Sequence, residues 1–222
     1  MKLRKVIKKT QEIVYKPLLL WYLRKDRWYH TEGLKLIVRK GVFHPGMFYS
    51  TSILLNFMKS QDLTGKTLLE PGCGTGLISV WAASKGAAVT AFDINPMAIE
   101  NTIQNGLINK QSVNALESNL FSKIIPTAFD YILVNPPFYP RVPKTTSDYA
   151  WYCGEDFEYF RAFFKDLSDY MHKNSMVMMV LSEDCDVKSI ESIADTYGMK
   201  LQLFSVSKSL LETGYLFRIF SK

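Results

Sequence analysis

Residues 66–93, KTLLEPGCGTGLISVWAASKGAAVTAFD, constrain the fold more than any other stretch of the chain. A short apolar run ends in an acid, a glycine-rich turn follows, then a helical segment, then a second β-prone run that again ends in an acid. Downstream, NPMAIENTIQNGLI reads as a helix, SVNALES and FDYILV as strands, DFEYFRAFFKDLSDYM as one long helix and SMVMMVLS as a buried strand. VKSIESIADTYG reads as a helix ending at Gly198, and KLQLFSVS and GYLFRIFS are two final strands. Strands alternating with helices predict an α/β fold, a Rossmann-like, seven-stranded, mostly parallel sheet with helices on both faces. The last two strands have no helix between them, so they pair antiparallel and supply the one antiparallel terminal strand.

Ahead of this unit, residues 1–22 have the apolar spacing of an amphipathic helix disturbed near Pro17. RWYHTEGLKLIV reads as a hairpin turning at Glu32-Gly33, and GVFHPGMFYSTSILLNFM as a loop that becomes a helix capped near Ser50 or Thr51. Residues 1–40 therefore form a helix and hairpin extension, and residues 41–222 the main domain. At 222 residues and 47% hydrophobic content the chain builds one well-cored domain. Its net charge of +6 is uneven: residues 1–40 carry 12 Lys/Arg against Glu12, Asp26 and Glu32. Such asymmetry suits contact with an acidic partner such as RNA, a ribosome or an anionic membrane surface, or else a solvated helix face. Three scattered cysteines and three histidines form no metal-ligand pattern, so no metal is expected and a reduced, cytoplasmic setting is. The apolar run PLLLWYL is too short to span a membrane and lacks a signal-peptide cleavage site.

Gly72, Gly74 and Gly76 give GxGxG at the first strand-to-helix turn, where a ligand can lie against bare backbone. The dinucleotide fingerprint GxGxxG would need glycine where Leu77 stands, and no Gly-Lys-Ser/Thr follows for a phosphate-cradling Walker loop. Glu70, two residues before the first glycine, suits a cationic ligand. Asp93 ends the second strand, where an acid can accept both hydroxyls of a ribose. A ligand with a ribose, a positive centre and no phosphate fits, and S-adenosylmethionine has these properties. Cys73 and Thr75, between the glycines, would line the same ligand.

NPPF, residues 135–138, ends the FDYILV strand at the sheet edge where ligands gather. Its chemistry suits methylation of a planar nitrogen. The Asn135 side-chain oxygen and the Pro136 carbonyl can hold the two hydrogens of an NH2 group and favour the positive charge that develops on nitrogen. Pro136 and Pro137 fix the backbone, and Phe138 offers a flat stacking face. EPGCGTG, FDINP and NPPF, in this order and spacing, resemble class I S-adenosylmethionine-dependent methyltransferases of the (N/D)PP(Y/F) type, and within them the release-factor glutamine methyltransferase-like group. The resemblance covers roughly residues 41–222.

The resemblance implies roles position by position. Gly72, Gly74 and Gly76 would line the methionine moiety, Thr51 would lie near its amino-acid end, and Asp93 would hold the ribose with Ile94 against the adenine. Asn119 stands where the family usually has Asp and would accept a hydrogen bond from the adenine amino group, with Leu120 beside it. Asn135, Pro136, Pro137 and Phe138 would bind and activate the acceptor. The acceptor would be macromolecular, a protein glutamine in the first place. An exocyclic amine of an RNA base suits the same motif, with residues 1–40 as a nucleic-acid arm. A catalytically inactive cofactor-binding scaffold is the reading from another class. Oligomeric state is not encoded in any of these motifs.

Overall fold

The protein was analysed as a computed structural model that describes residues 24–209 and 212–222; the helix expected over residues 1–22 lies outside them. The hairpin expected at Glu32-Gly33 is present as β1 (Arg27–Thr31) and β2 (Leu34–Val38). Both turn residues have positive φ, 53° and 77°, the backbone that a two-residue hairpin loop demands. A loop then leads into α1 (Tyr49–Met58). This helix starts before the expected caps: Phe48 occupies the N-cap position without a side-chain hydrogen bond. Its ring instead stacks on Phe43 at 4.6 Å, so aromatic packing rather than a hydroxyl turns the chain into the helix.

The main sheet contains β3 (Thr67–Pro71), β4 (Ala88–Asp93), β5 (Asn114–Glu117), β6 (Phe129–Val134), β7 (Met171–Ser182), β8 (Met199–Lys208) and β9 (Thr213–Ser221). Their spatial order is β5-β4-β3-β6-β7-β9-β8. All neighbours run parallel except β9, which is antiparallel to both β7 and β8. Between them lie α2 (Leu77–Ser84), α3 (Pro96–Ile108), α4 (Glu158–Asp166) and α5 (Val187–Thr196). The run expected as one long helix after residue 155 is shorter: α4 gives way to a 3-10 turn at Leu167–Tyr170, which feeds β7 directly. Two buried clusters cover the two faces. Leu36, Leu54, Leu68, Val80 and Trp81 pack on the α1–α2 side; Phe121, Phe160, Phe163, Phe164 and Ile190 pack on the α4–α5 side. Strand order reverses between β3 and β6, so their carboxyl ends open a crevice, the usual ligand position of such sheets.

The hairpin is fastened to α3 by a ladder of amides. Asn101, Asn105 and Asn109 are four residues apart on one helix face, and each accepts a backbone N–H from β2 or its end: Arg39 (3.0 Å), Ile37 (2.8 Å) and Lys35 (3.0 Å) respectively. Their Nδ2 atoms donate back to the carbonyls of Ile37, Ile37 and Lys35. The periods match: four helical residues rise about 6 Å, and two strand residues about 6.6 Å. A helix face thus stands in for a neighbouring strand and satisfies the β2 edge. Asn105 also donates to the Thr75 carbonyl at 2.9 Å, which ties the hairpin to the glycine turn. Asn105 is fully buried, so Asn105→Ala strands two backbone groups, the Ile37 N–H and the Thr75 carbonyl, while the Ile37 carbonyl keeps Asn101. That variant is expected to lose about 3 kcal/mol in urea unfolding, and Asn109→Ala, at the more exposed end, about 1 kcal/mol or less.

Candidate active site

The glycine turn is held by the end of the next strand. Gly72 and Cys73 both donate to the Phe92 carbonyl, at 2.7 and 3.1 Å, and Gly74 donates to Asp93 Oδ2 at 2.9 Å. Gly72 has φ +71°, and a Cβ there would meet no atom within 4 Å: its bare backbone faces the cavity. Gly76 does something else. A Cβ there would lie 2.6 Å from the Thr102 side chain, so this glycine lets α2 and α3 approach, and it is not part of the cavity wall.

The two strand-end acids are held in different ways. Asp93 is fixed by backbone amides on both oxygens, Gly74 on Oδ2 and Asn95 on Oδ1 at 2.9 Å. Its pKa is raised, because burial outweighs those hydrogen bonds. Glu70 is buried and accepts from the Ser79 N–H at 2.9 Å and from the Ser79 hydroxyl, both on Oε2. Oε1 has no protein donor among the described residues. Burial first, and the neighbouring Asp93 charge in addition, push the Glu70 carboxyl up to about 8. Below that pH the buried carboxyl is neutral, and a cation placed beside it would favour its charged form.

β6 ends at Val134, and Asn135 projects beyond it into the same cavity. Its side-chain amide is half-buried and makes no hydrogen bond to any described residue. The following loop is clamped: Phe138 and Tyr139 donate to the Trp151 carbonyl at 3.2 and 3.0 Å, and Cys153 donates to the Tyr139 carbonyl at 3.0 Å. Two prolines and this clamp hold the acceptor loop with little freedom left to lose.

Together these elements enclose a cavity of about 870 Å³. Of the residues singled out in the sequence, Thr51, Glu70, Gly72, Cys73, Gly74, Thr75, Asp93, Ile94, Leu120, Asn135, Pro136, Pro137 and Phe138 line it. Gly76 does not, and neither does Asn119, whose neighbours Ser118 and Leu120 face the cavity while Asn119 is exposed. Sequence reasoning missed Phe43, Phe48, Trp151, Asp184 and Glu212, which complete the wall. Rim aromatics carry no fixed spacing to the glycines, so no linear motif marked them. His44 caps the turn at Pro45–Met47 through Nδ1 and is not in the wall. Among the described residues the lining includes Glu70, Asp93, Asp184 and Glu212 but no Lys or Arg. It therefore fits a cationic, ribose-bearing ligand and offers a pyrophosphate no counter-charge.

Glu70 makes the ligand-free protein sensitive to pH. Its folded pKa of about 8 exceeds the ordinary value of 4.5, so between these values the folded chain retains a proton that the unfolded chain releases. Stability from this group is fully present below pH 4.5 and is lost as pH rises toward 8. Thermal melts of Glu70→Gln should therefore show a smaller fall in Tm from pH 5 to pH 8 than the parent; equal falls would mean that Glu70 ionises normally. A bound cation lowers the same pKa and expels the proton to the buffer, so calorimetric binding heats near pH 7.5 should differ between Tris and phosphate by the protons released times the difference in the two buffers' ionisation enthalpies.

Comparison with known proteins agrees with this geometry. The model of the methyltransferase small domain family matches residues 33–198. A Methanocaldococcus jannaschii protein assigned as a protein N5-glutamine methyltransferase is 33% identical over 178 residues, covering 78% of this chain and 88% of its own. The release factor glutamine methyltransferase of Fusobacterium nucleatum is 36% identical over 112 residues, 48% of this chain and 31% of that protein. Among solved structures, the Thermus thermophilus 16S rRNA N2 G1207 methyltransferase, in complex with AdoMet and guanosine, aligns with a TM-score of 0.67 at 18% identity, over 87% of this chain and 50% of its own. The Encephalitozoon cuniculi Mtq2–Trm112 complex, which methylates the termination factor eRF1, aligns at 0.60 and 22% identity, over 82% and 99%. The family match over residues 33–198 and a relative one third identical along most of both chains show that this chain belongs to the methyltransferase small domain family and is an S-adenosylmethionine-dependent methyltransferase of the class I fold.

Proposed function

We propose that this protein transfers the methyl group to a planar nitrogen of a macromolecule, in the first place the side-chain amide of a protein glutamine. The observation that carries the reading is the uncommitted Asn135 carboxamide, at the end of β6, on the same cavity as the glycine turn. The backbone of Gly72 and Gly74 would hold the methionine part of the cofactor, Glu70 its positive end and Asp93 the ribose. Bound there, the cofactor supplies a methyl group on sulfonium sulfur, which leaves as a neutral thioether when the N–CH3 bond forms. The protein's part is electrostatic. An amide nitrogen is a poor nucleophile because its lone pair is delocalised. Asn135 Oδ1 and the Pro136 carbonyl accept its two N–H groups, favour a pyramidal nitrogen and stabilise the charge that develops on it. Phe138 stacks on the amide plane, and the acidified N–H proton departs to water after transfer. No strong base is needed.

The acidic lining that the described residues provide favours a glutamine over a phosphate-bearing acceptor, as does the similarity to glutamine methyltransferases. The second reading, an exocyclic amine of an RNA base, is supported by the basic composition of residues 1–40, by the exposed Arg141 and Lys144 beside the NPPF loop, and by similarity to ribosomal RNA small subunit methyltransferase C of Alcanivorax borkumensis, 31% identical over 121 residues. In that case residues 1–40 are the arm that grips nucleic acid. All three cysteines are free, and among the described residues no helix is long and apolar enough to cross a membrane; the compartment we propose is the cytoplasm.

Asn135→Ala is expected to slow methyl transfer by about 10²–10³-fold, the scale for losing one preorganised acceptor, while S-adenosylhomocysteine affinity changes less than about threefold. Unchanged turnover would remove Asn135 from the chemistry, and no transfer by the parent protein would leave the inactive scaffold. Incubation with methyl-labelled cofactor and a cell extract separates the acceptors: label that survives ribonuclease and is lost to protease identifies a protein.

A further inference from the structure

We propose that Trp151, with Phe43 and Phe48, forms a clasp across the cavity mouth that retains the cofactor and makes Trp151 a positioning residue for the acceptor loop. The inference rests on the cofactor reading above and on contacts that this reading does not use. Phe43 and Phe48 come from the loop before α1, and Trp151 from the loop after β6. Their rings meet with centroids 4.6 Å apart for Phe43–Phe48, 5.5 Å for Phe43–Trp151 and 4.9 Å for Phe48–Trp151. All three line the cavity and all are half-exposed, so the rings have the ligand space on one side and solvent on the other.

Both loops are rooted firmly outside the clasp. Phe43 rests on the glycine turn, 3.8 Å from where a Gly74 Cβ would stand, and its loop follows the strand that the Asn101–Asn105–Asn109 ladder secures. Trp151 holds the other loop through its carbonyl, which accepts both backbone amides that follow Pro137. Across the mouth, by contrast, no backbone hydrogen bond joins residues 41–48 to residues 139–154 among the described residues. The rings can therefore part without stranding a polar group, whereas either root would have to break hydrogen bonds. This makes the ring contact the place where the site opens for exchange. Trp151 touches both halves, its indole on the cofactor-side loop and its carbonyl on the acceptor loop.

The test uses the full chain and S-adenosylhomocysteine, with release followed by stopped-flow displacement and affinity by calorimetry. Trp151→Ala is expected to speed release about tenfold or more, with a smaller change in the association rate, as for loss of a gate. Trp151→Phe should restore slow release. Phe48→Ala, which leaves the Trp151 carbonyl and the acceptor loop alone, should also speed release. Circular dichroism melts identify any variant that fails to fold, and Phe48→Ala then carries the test. Release unchanged in folded Trp151→Ala or Phe48→Ala overturns the clasp. Absence of S-adenosylhomocysteine binding by the parent chain overturns the cofactor reading instead, so the two failures are distinct.

Discussion

The backbone hydrogen bonds from the glycine turn to the end of β4 are the constraint on which the site depends. Gly72 and Cys73 donate to one carbonyl, that of Phe92, and Gly74 donates to the side chain of the next residue, Asp93. The turn after one strand and the acid that ends its neighbour are therefore placed by the same contacts. A parallel β3–β4 pair in register brings those ends level. Thr102 and Asn105 of α3 then bind the turn from behind, through Gly74 and Thr75 carbonyls. Bare backbone can face a ligand because the structure behind it is rigid.

Function is held here against the interest of stability. Glu70 is buried with a single serine as its partner and would be replaced at a gain in the ligand-free protein. Asn135 leaves an amide uncommitted at a half-buried position. On the proposed function each is a local cost that a ligand would offset, the first by charge and the second by hydrogen bonding. The asparagine ladder on α3 does the opposite and satisfies the backbone along the β2 edge.

The acceptor half is built differently from the cofactor half. The glycine turn sits inside a helix–sheet unit, while the NPPF loop is braced by a second loop through the Trp151 carbonyl. Relatives of this chain are named for action on a release factor and on ribosomal RNA, and the proposed function would have an acceptor meet the bracing loop, with its exposed Tyr149 and the cations Arg141 and Lys144 nearby. Variation in such a loop changes the acceptor while the transfer chemistry stays the same.

The chain itself determined the order of elements, the glycine turn, both acids and the NPPF strand end, because each is a local pattern of hydrophobic period, turn chemistry or residue type. It also contained the spacing of Asn101, Asn105 and Asn109, whose meaning was hidden because the partner strand lies more than 60 residues upstream. Local pattern does not set the end of α4, where a 3-10 turn takes over at Leu167–Tyr170 and Tyr170 stacks on Phe121 at 4.3 Å, or the start of α1, where Phe48 stands in place of a capping hydroxyl. Gly76 and Asn119 resembled ligand contacts in line with their motifs; in three dimensions one packs two helices together and the other faces outward. Which aromatic rings line the cavity, and that its described wall carries acids and no Lys or Arg, only the tertiary structure decided, because those residues come from distant segments that meet at one sheet edge.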